Sequence, residues 1–265
     1  LAAQPAHPPP SADAHSLALM LVPVLAAECR GHLSEIQWFH ARWQNGGAET
    51  GTATWTFPDG STLPCIVKLP VGPAELAWTT RLGGPGVLET GRLPEPSQCP
   101  TPRVLAASDT LNGYDLGWVV VERLPGEPMS SLLTPQSIED LIHAAADFHE
   151  RAERIRPIDQ KPKWVDFEHS IAKAREVVKE SGMAEAHRWA DALRQVRRSL
   201  PVLLAKWESR PLNCWCHGDL HPGNAMYRPA EPGSGDNRPH CVLIDLALVH
   251  AGHWIEDAVY LERQY

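Results

Sequence analysis

Apolar and polar positions alternate through the first half of the chain. Residues 36–43 (Ile-Gln-Trp-Phe-His-Ala-Arg-Trp) are followed by the turn Asn45-Gly46-Gly47. Residues 52–57 (Thr-Ala-Thr-Trp-Thr-Phe) interleave β-branched and aromatic side chains with smaller ones. Pro58-Asp59-Gly60 then marks a turn, and residues 63–69 supply a third run. Period-two segments joined by short turns predict an antiparallel meander. Residues 74–82 and 86–93 carry helical patterns. Residues 104–107 and 117–123 predict two more strands, the second holding the apolar run Trp118-Val-Val-Val121.

The period changes after Leu124-Pro-Gly-Glu-Pro128, a segment of turn formers that predicts a hinge. Thr134 can cap a helix with Pro135 in its first position. Ile138, Leu141, Ile142, Ala145 and Phe148 then recur at helical spacing. Residues 165–180 and 183–199 predict two further amphipathic helices around Ser181-Gly182, and Pro201 is expected to interrupt the second or restart a helix beyond it. Apolar runs at 224–227 and 241–244 flank a loop rich in Pro, Gly, Asn and Asp, the pattern of a β-hairpin. Near the start, the apolar run 17–27 is too short to span a bilayer. No basic segment precedes it, and Glu28 stands where a cleavage site would need a small residue. It therefore predicts a packed helix rather than a targeting segment.

This order differs from an alternating βαβ chain. It resembles the order of a bilobal kinase, and that resemblance implies an α+β, protein-kinase-like fold with a small antiparallel β-sheet N-lobe and a mainly helical C-lobe. The divisions are a flexible Pro-rich tail (1–14), an N-lobe with a nucleotide-binding sheet (15–124) and a helical C-lobe with the catalytic loop (125–265).

Composition narrows the function classes. With 43% hydrophobic and 21% charged residues, the chain is globular rather than disordered. The net charge of −8 argues against a broad nucleic-acid surface, and no run is long enough for a membrane span. The 25 prolines imply many loops and interrupted elements. Six cysteines stand at 29, 65, 99, 214, 216 and 241 without a CxxC pair. Cys214-Trp-Cys216 is not a usual zinc spacing, so the thiols are expected to be reduced, buried and cytoplasmic. His217, His221, His250 and His253 form no HExxH pattern, which leaves a histidine metal site as a minor alternative.

The chemistry concentrates in His217-Gly218-Asp219-Leu220-His221-Pro222-Gly223-Asn224. The interval from Asp219 to Asn224 is that of a kinase catalytic loop. A carboxylate within reach of a hydroxyl can orient it and take its proton, while an amide oxygen and a second carboxylate suit magnesium. Val242-Leu-Ile-Asp245 delivers that second carboxylate at a strand end. Cys65-Ile-Val-Lys68 ends another strand on a cation suited to phosphates. Glu75 and Glu89 are both candidates to hold Lys68, and the reading leans to Glu89, one helix before the next strand.

These motifs resemble the aminoglycoside phosphotransferase and choline kinase family, in which HGD replaces the HRD of protein kinases. Ala145-Ala-Asp-Phe-His149, Val121-Glu-Arg-Leu-Pro-Gly126 and Gly252-His-Trp-Ile-Glu-Asp257 resemble further family segments. The resemblance implies that Asp219 is the catalytic base, that Asn224 and Asp245 hold magnesium, and that Lys68 meets the phosphates of ATP. It places Gly46 and Gly47 in a nucleotide loop, and it lets the segment 118–124, including Glu122 and Leu124, hold the adenine through its backbone. Asp257 is expected to brace the catalytic loop. The implied reaction transfers the γ-phosphoryl group to a small-molecule alcohol such as an aminoglycoside, a choline-like amine alcohol or a sugar. A non-catalytic nucleotide-binding module is the alternative. HRD, DFG and APE segments are missing, which disfavours a protein kinase. Few residues come after Asp245, whereas the resembling family continues with further helices, so a C-terminally incomplete catalytic core is expected.

Overall fold

The computed structural model describes residues 14–39, 48–158, 166–230 and 238–264. The first part is built on one five-stranded antiparallel sheet. Its strands are β1 (Gln37–Phe39), β2 (Glu49–Thr56), β3 (Thr62–Val71), β4 (Val104–Ser108) and β5 (Gly117–Glu122), in the spatial order β1-β2-β3-β5-β4. Helix α1 (Ala14–Glu28) corresponds to the apolar run near the start. It buries Leu25 and Cys29 in one core with Trp55, Val67 and Val120. Helix α2 (Pro73–Leu82) covers another part of the sheet, where Leu76 joins Val104, Val119 and Val121.

Of the run 36–43, Gln37–Phe39 form β1, while residues 40–43 lie outside the described residues together with Asn45, Gly46 and Gly47. One sequence expectation shrinks. The helical pattern at 86–93 yields one turn, α3 (Val87–Thr90), because Gly91 takes the left-handed conformation at φ +73° and ends it.

The second part is mainly helical. Helix α4 (Pro135–Ile155) starts at Thr134, whose side chain accepts the Ser137 N–H. Leu141, Ala145, Phe148 and Ala152 fall on its buried face. They pack with Trp215, Leu220 and Leu243, and Trp78 and Leu82 of α2 join the same core. Complete burial of a side chain such as Phe148 contributes about 1.5–3 kcal/mol, so this core ties both parts together. Helices α5 (Phe167–Glu180) and α6 (Ala186–Glu208) pack on each other. Contrary to expectation, α6 runs through Pro201 without a break. The carbonyl freed by the missing N–H belongs to Arg197, an exposed residue, so water can meet it.

Two small antiparallel pairs complete the chain. Strands β7 (Ala225–Arg228) and β8 (His240–Leu243) form the expected hairpin. Strands β6 (Cys214–Cys216) and β9 (His250–Gly252) form a pair that the sequence reading did not anticipate. Helix α7 (Ile255–Gln264) comes directly after β9. No helix among the described residues is long and apolar enough to cross a membrane.

Candidate active site

The HGD segment links β6 to β7, so its ends are fixed by two different sheets. Gly218 sits at φ +81°, and a Cβ there would lie 2.3 Å from the Leu248 carbonyl oxygen. Only glycine fits both the conformation and the space. Further along, His221 Nδ1 accepts the Gly223 N–H at 3.0 Å and caps a single 3-10 turn at Pro222–Asn224. That turn brings Asn224 back to Asp219. Its Nδ2 donates to the Asp219 carbonyl at 3.0 Å and to Asp219 Oδ2 at 2.8 Å. With the amide nitrogen so used, the amide oxygen is left as the donor for a cation.

His217 is fully buried and both its ring nitrogens are engaged. Nε2–H donates to the Ile244 carbonyl at 3.0 Å, and Nδ1 accepts the Asp219 N–H at 3.3 Å. Burial pushes its pKa down against the pull of Asp257, so the ring is neutral and structural. The Ile244 N–H in turn donates to the Asn224 carbonyl at 2.9 Å. Ile244 is thus held from both sides, and Asp245 comes next at φ +65°, a left-handed conformation that aspartate tolerates better than most residues.

Asp257 braces the loop, as expected from the resemblance. Oδ2 accepts the His217 N–H at 2.8 Å and His149 Nε2–H at 2.9 Å, and Oδ1 accepts the Gly218 N–H at 2.9 Å. Burial opposes its charge, but the three hydrogen bonds outweigh it and hold the carboxyl below the usual range.

A cleft of about 610 Å³ lies between the sheet and the hairpin. Lys68, Glu75, Asn224 and Asp245 all line it, among apolar walls that include Ile66 and Val119. Asp219 is not among its lining residues and reaches it through Asn224. Lys68 Nζ donates to Glu75 Oε1 at 2.6 Å. This corrects the lean to Glu89, which is an exposed residue on α3. Gly72 is the only residue between β3 and α2, so Glu75 falls in the first helical turn, directly over the strand end. Burial works against the Lys68 charge, yet Glu75 and then Asp245 raise its pKa above the usual lysine value. Asn224 and Asp245 together offer hard oxygen donors on one wall, a set that fits magnesium.

Glu122 and Leu124 also line the cleft. The Glu122 carboxylate is buried for another purpose. Oε2 accepts Arg103 Nε at 2.8 Å, while Oε1 accepts the Arg103 N–H at 2.9 Å and Arg228 Nη2 at 2.5 Å. Arg228 also donates to the carbonyls of Cys99 and Thr101, tying β7 to the sheet. The Glu122 and Arg123 amides donate to Arg103 and Pro64, while Leu124 N–H is without a partner among the described residues. Gly46 and Gly47 lie outside those residues, so their place at the cleft is not described. Sequence reasoning missed Arg103 and Arg228, for which a lone arginine in a strand or loop gives no signal.

A five-stranded antiparallel sheet over a helical part, with a lysine–glutamate pair facing an asparagine and an aspartate, defines a kinase-like phosphotransferase fold. A family model described as the phosphotransferase enzyme family matches residues 73–263, and the chain belongs to that family. It is thus a phosphotransferase with an alcohol group as acceptor. Similar solved structures include the amicoumacin kinase hAmiN in complex with AMP-PNP, Ca2+ and Ami. It is 12% identical with a TM-score of 0.53, covering 93% of this chain and 70% of that one. Spectinomycin phosphotransferase APH(9)-Ia, in complex with ADP and spectinomycin, is 14% identical with a TM-score of 0.51, covering 91% and 72%. At these identities the likeness is one of fold. No curated protein matches the chain in sequence.

Proposed function

We propose that this chain transfers the γ-phosphoryl group of ATP to a hydroxyl of a small acceptor, with magnesium held by Asn224 and Asp245. The acceptor class is an aminoglycoside, a choline-like amine alcohol or a sugar. One observation carries the reading. Asn224 lines the cleft beside Lys68 and Asp245, and the same side chain bonds Asp219. Nucleotide side and acceptor side therefore meet at one residue.

Each group has a task. Ile66 and Val119 offer an apolar slot for the base, and the Leu124 N–H offers a donor to its edge. Lys68, kept charged by Glu75 and Asp245, meets the phosphates. Bound magnesium supplies neutralisation of charge on the phosphates. The Asp219 carboxylate is partly exposed, accepts the Asn224 amide on Oδ2, and can orient the acceptor hydroxyl and take its proton. Catalysis of this kind rests on positioning and charge stabilisation. The lobes divide at residue 124, ahead of the Pro/Gly segment. Six free cysteines fit a reducing, cytoplasmic setting.

The test is magnesium-dependent ATP turnover with a panel of aminoglycosides, amine alcohols and sugars, using Asp219→Asn as the control. A general base is worth roughly 100-fold or more, so the variant should lose at least that in kcat with an acceptor that the parent accepts. Unchanged turnover in Asp219→Asn would remove Asp219 from the role. Nucleotide binding without turnover on any acceptor would favour a non-catalytic binding module.

A further inference from the structure

The unanticipated pair of β6 and β9 gathers side chains that the phosphotransfer site does not use. Cys214 and Cys216 are two apart on β6 and point to the same side, with their Sγ atoms 3.6 Å apart. Cys216 pairs with His250 across the ladder. Glu256, in the first turn of α7, brings its Oε2 to 3.3 Å from His250 Nε2. Ligand atoms of Cys216, His250 and Glu256 all lie within 4.8 Å of one another.

We propose that Cys216, His250 and Glu256 form a binding site for a thiophilic divalent cation of the zinc type, with Cys214, whose Sγ lies beside Cys216 Sγ but outside that group, as a fourth donor once its side chain turns inward.

Four observations carry it. First, the spacings of Cys216, His250 and Glu256 fit, as does the distance between the two sulfurs, and Cys214 has only to turn toward the other two donors. Zinc bonds of about 2.3 Å to sulfur and 2.0–2.2 Å to nitrogen and oxygen put two sulfurs about 3.8 Å apart, and nitrogen and oxygen about 3.3 Å apart, on one tetrahedron. Second, the histidine is already oriented. His250 Nδ1 lies 2.9 Å from the Leu248 carbonyl and donates its proton there, so Nε2 is the ring nitrogen turned to Glu256. This is the arrangement of a metal-ligating imidazole. Nε2 then faces a carboxylate oxygen, two acceptors that need a proton or a cation between them.

Third, the outer groups settle the carboxylate and the charge. Glu256 Oε1 is held by Arg210 Nε at 2.9 Å and by the His253 N–H at 2.7 Å, which leaves Oε2 for the ion. Two thiolates and one carboxylate around a dication leave a net −1, and the Arg210 guanidinium offsets it. Fourth, the backbone makes room. A Cβ on Gly252 would lie 2.6 Å from Cys216 Sγ and 2.8 Å from Glu256 Oε1, so a side chain there would push the cysteine and the carboxylate apart. The cysteines are buried while His250 is partly exposed, which gives an entry path on one side.

Binding would release two thiol protons and the proton shared by His250 Nε2 and Glu256 Oε2 to solvent, and form two metal–sulfur bonds, with no redox change. Cys216 directly precedes His217, and Glu256 directly precedes Asp257. An ion here would therefore clamp the two segments that hold the catalytic loop, from outside the nucleotide cleft.

The experiment uses the full chain, stripped with chelator and titrated with Zn2+ and with Co2+. The expected result is one tightly held ion per chain. Co2+ should give thiolate charge-transfer absorption, and Zn2+ should protect two thiols from alkylation. Cys216→Ser and His250→Ala should each weaken binding at least tenfold. Asp245→Asn should leave the thiolate band intact, because it alters only the cleft. Since Cys216→Ser could misfold, the Co2+ spectrum and thiol protection of the unmutated chain decide independently. Absence of a thiolate band, or ion binding lost only in Asp245→Asn, overturns the proposal.

Discussion

Lys68 and Glu75 are joined by a 2.6 Å hydrogen bond from the end of β3 to the first turn of α2. The pair is partly buried, and Asp245 adds a second negative charge to the field at Lys68. Glu75 therefore fixes where the ammonium sits, while Asp245 competes for it. Removing Glu75 should let Lys68 swing toward Asp245 and away from the phosphate position. Glu75→Gln is expected to lower kcat/KM for ATP about tenfold or more, equivalent to about 1.4 kcal/mol of transition-state stabilisation. Glu89→Gln, on the exposed α3, should leave it unchanged. Steady-state kinetics at varied ATP for both variants checks the assignment.

The reach of the sequence can be seen in this pair. Lys68 was legible because it ends an alternating run, and Asp219, Asn224 and Asp245 because their spacing is short and directional. Glu75 was not separable from Glu89, since both head helical patterns and only the single-residue link through Gly72 decides which one covers the strand. The pair of β6 and β9 was invisible for a related reason. Each strand has three residues, too few for a period, and their register depends on the loop between them. The CxC spacing gave no metal signal because its partners, His250 and Glu256, come from elements far along the chain.

Glu122 should contribute to the acid limb of stability. Burial raises the cost of its charge, but Arg103 and Arg228 outweigh that and hold the carboxyl below the ordinary glutamate value. A depressed folded pKa stabilises the fold above the unfolded value of about 4.3, and this contribution is lost as pH falls through the folded pKa. Wild-type melting temperature should therefore fall below about pH 4, and Glu122→Gln should flatten that limb. At neutral pH the variant leaves two arginines without their counter-charge and should be less stable by about 3–5 kcal/mol. Thermal melts from pH 3 to 7 read both effects.

Gly218 is the tightest point of the catalytic segment. An alanine there must adopt φ +81°, which costs about 1–2 kcal/mol, and must also displace the Leu248 carbonyl. Because the neighbours are His217 and Asp219, relief of the clash would move the catalytic carboxylate. Gly218→Ala is expected to lower kcat at least tenfold, beyond what its drop in melting temperature explains. Comparison of kcat and melting temperature with Gly113→Ala, a left-handed glycine outside the cleft lining with open space around its Cβ, isolates the clash from the backbone strain.

Asp257 positions the loop without lying in the nucleotide cleft. Its two oxygens accept three hydrogen bonds, from His217, Gly218 and His149. An asparagine has one carbonyl oxygen. If that oxygen replaces Oδ2, the new NH2 group faces the Gly218 N–H, donor against donor. If it replaces Oδ1, two donors lose their acceptor at once. Either way the HGD segment shifts, while Lys68, Glu75 and the strand walls of the cleft keep their places. Asp257→Asn should therefore lower kcat by roughly 10- to 100-fold, or about 1.4–2.7 kcal/mol, with KM for ATP within about twofold of the parent. His149→Gln, which keeps a donor near Oδ2, should lose less than His149→Ala. Equal losses in both His149 variants, or a change confined to KM for ATP, would mean that Asp257 acts on the cleft and not on the loop.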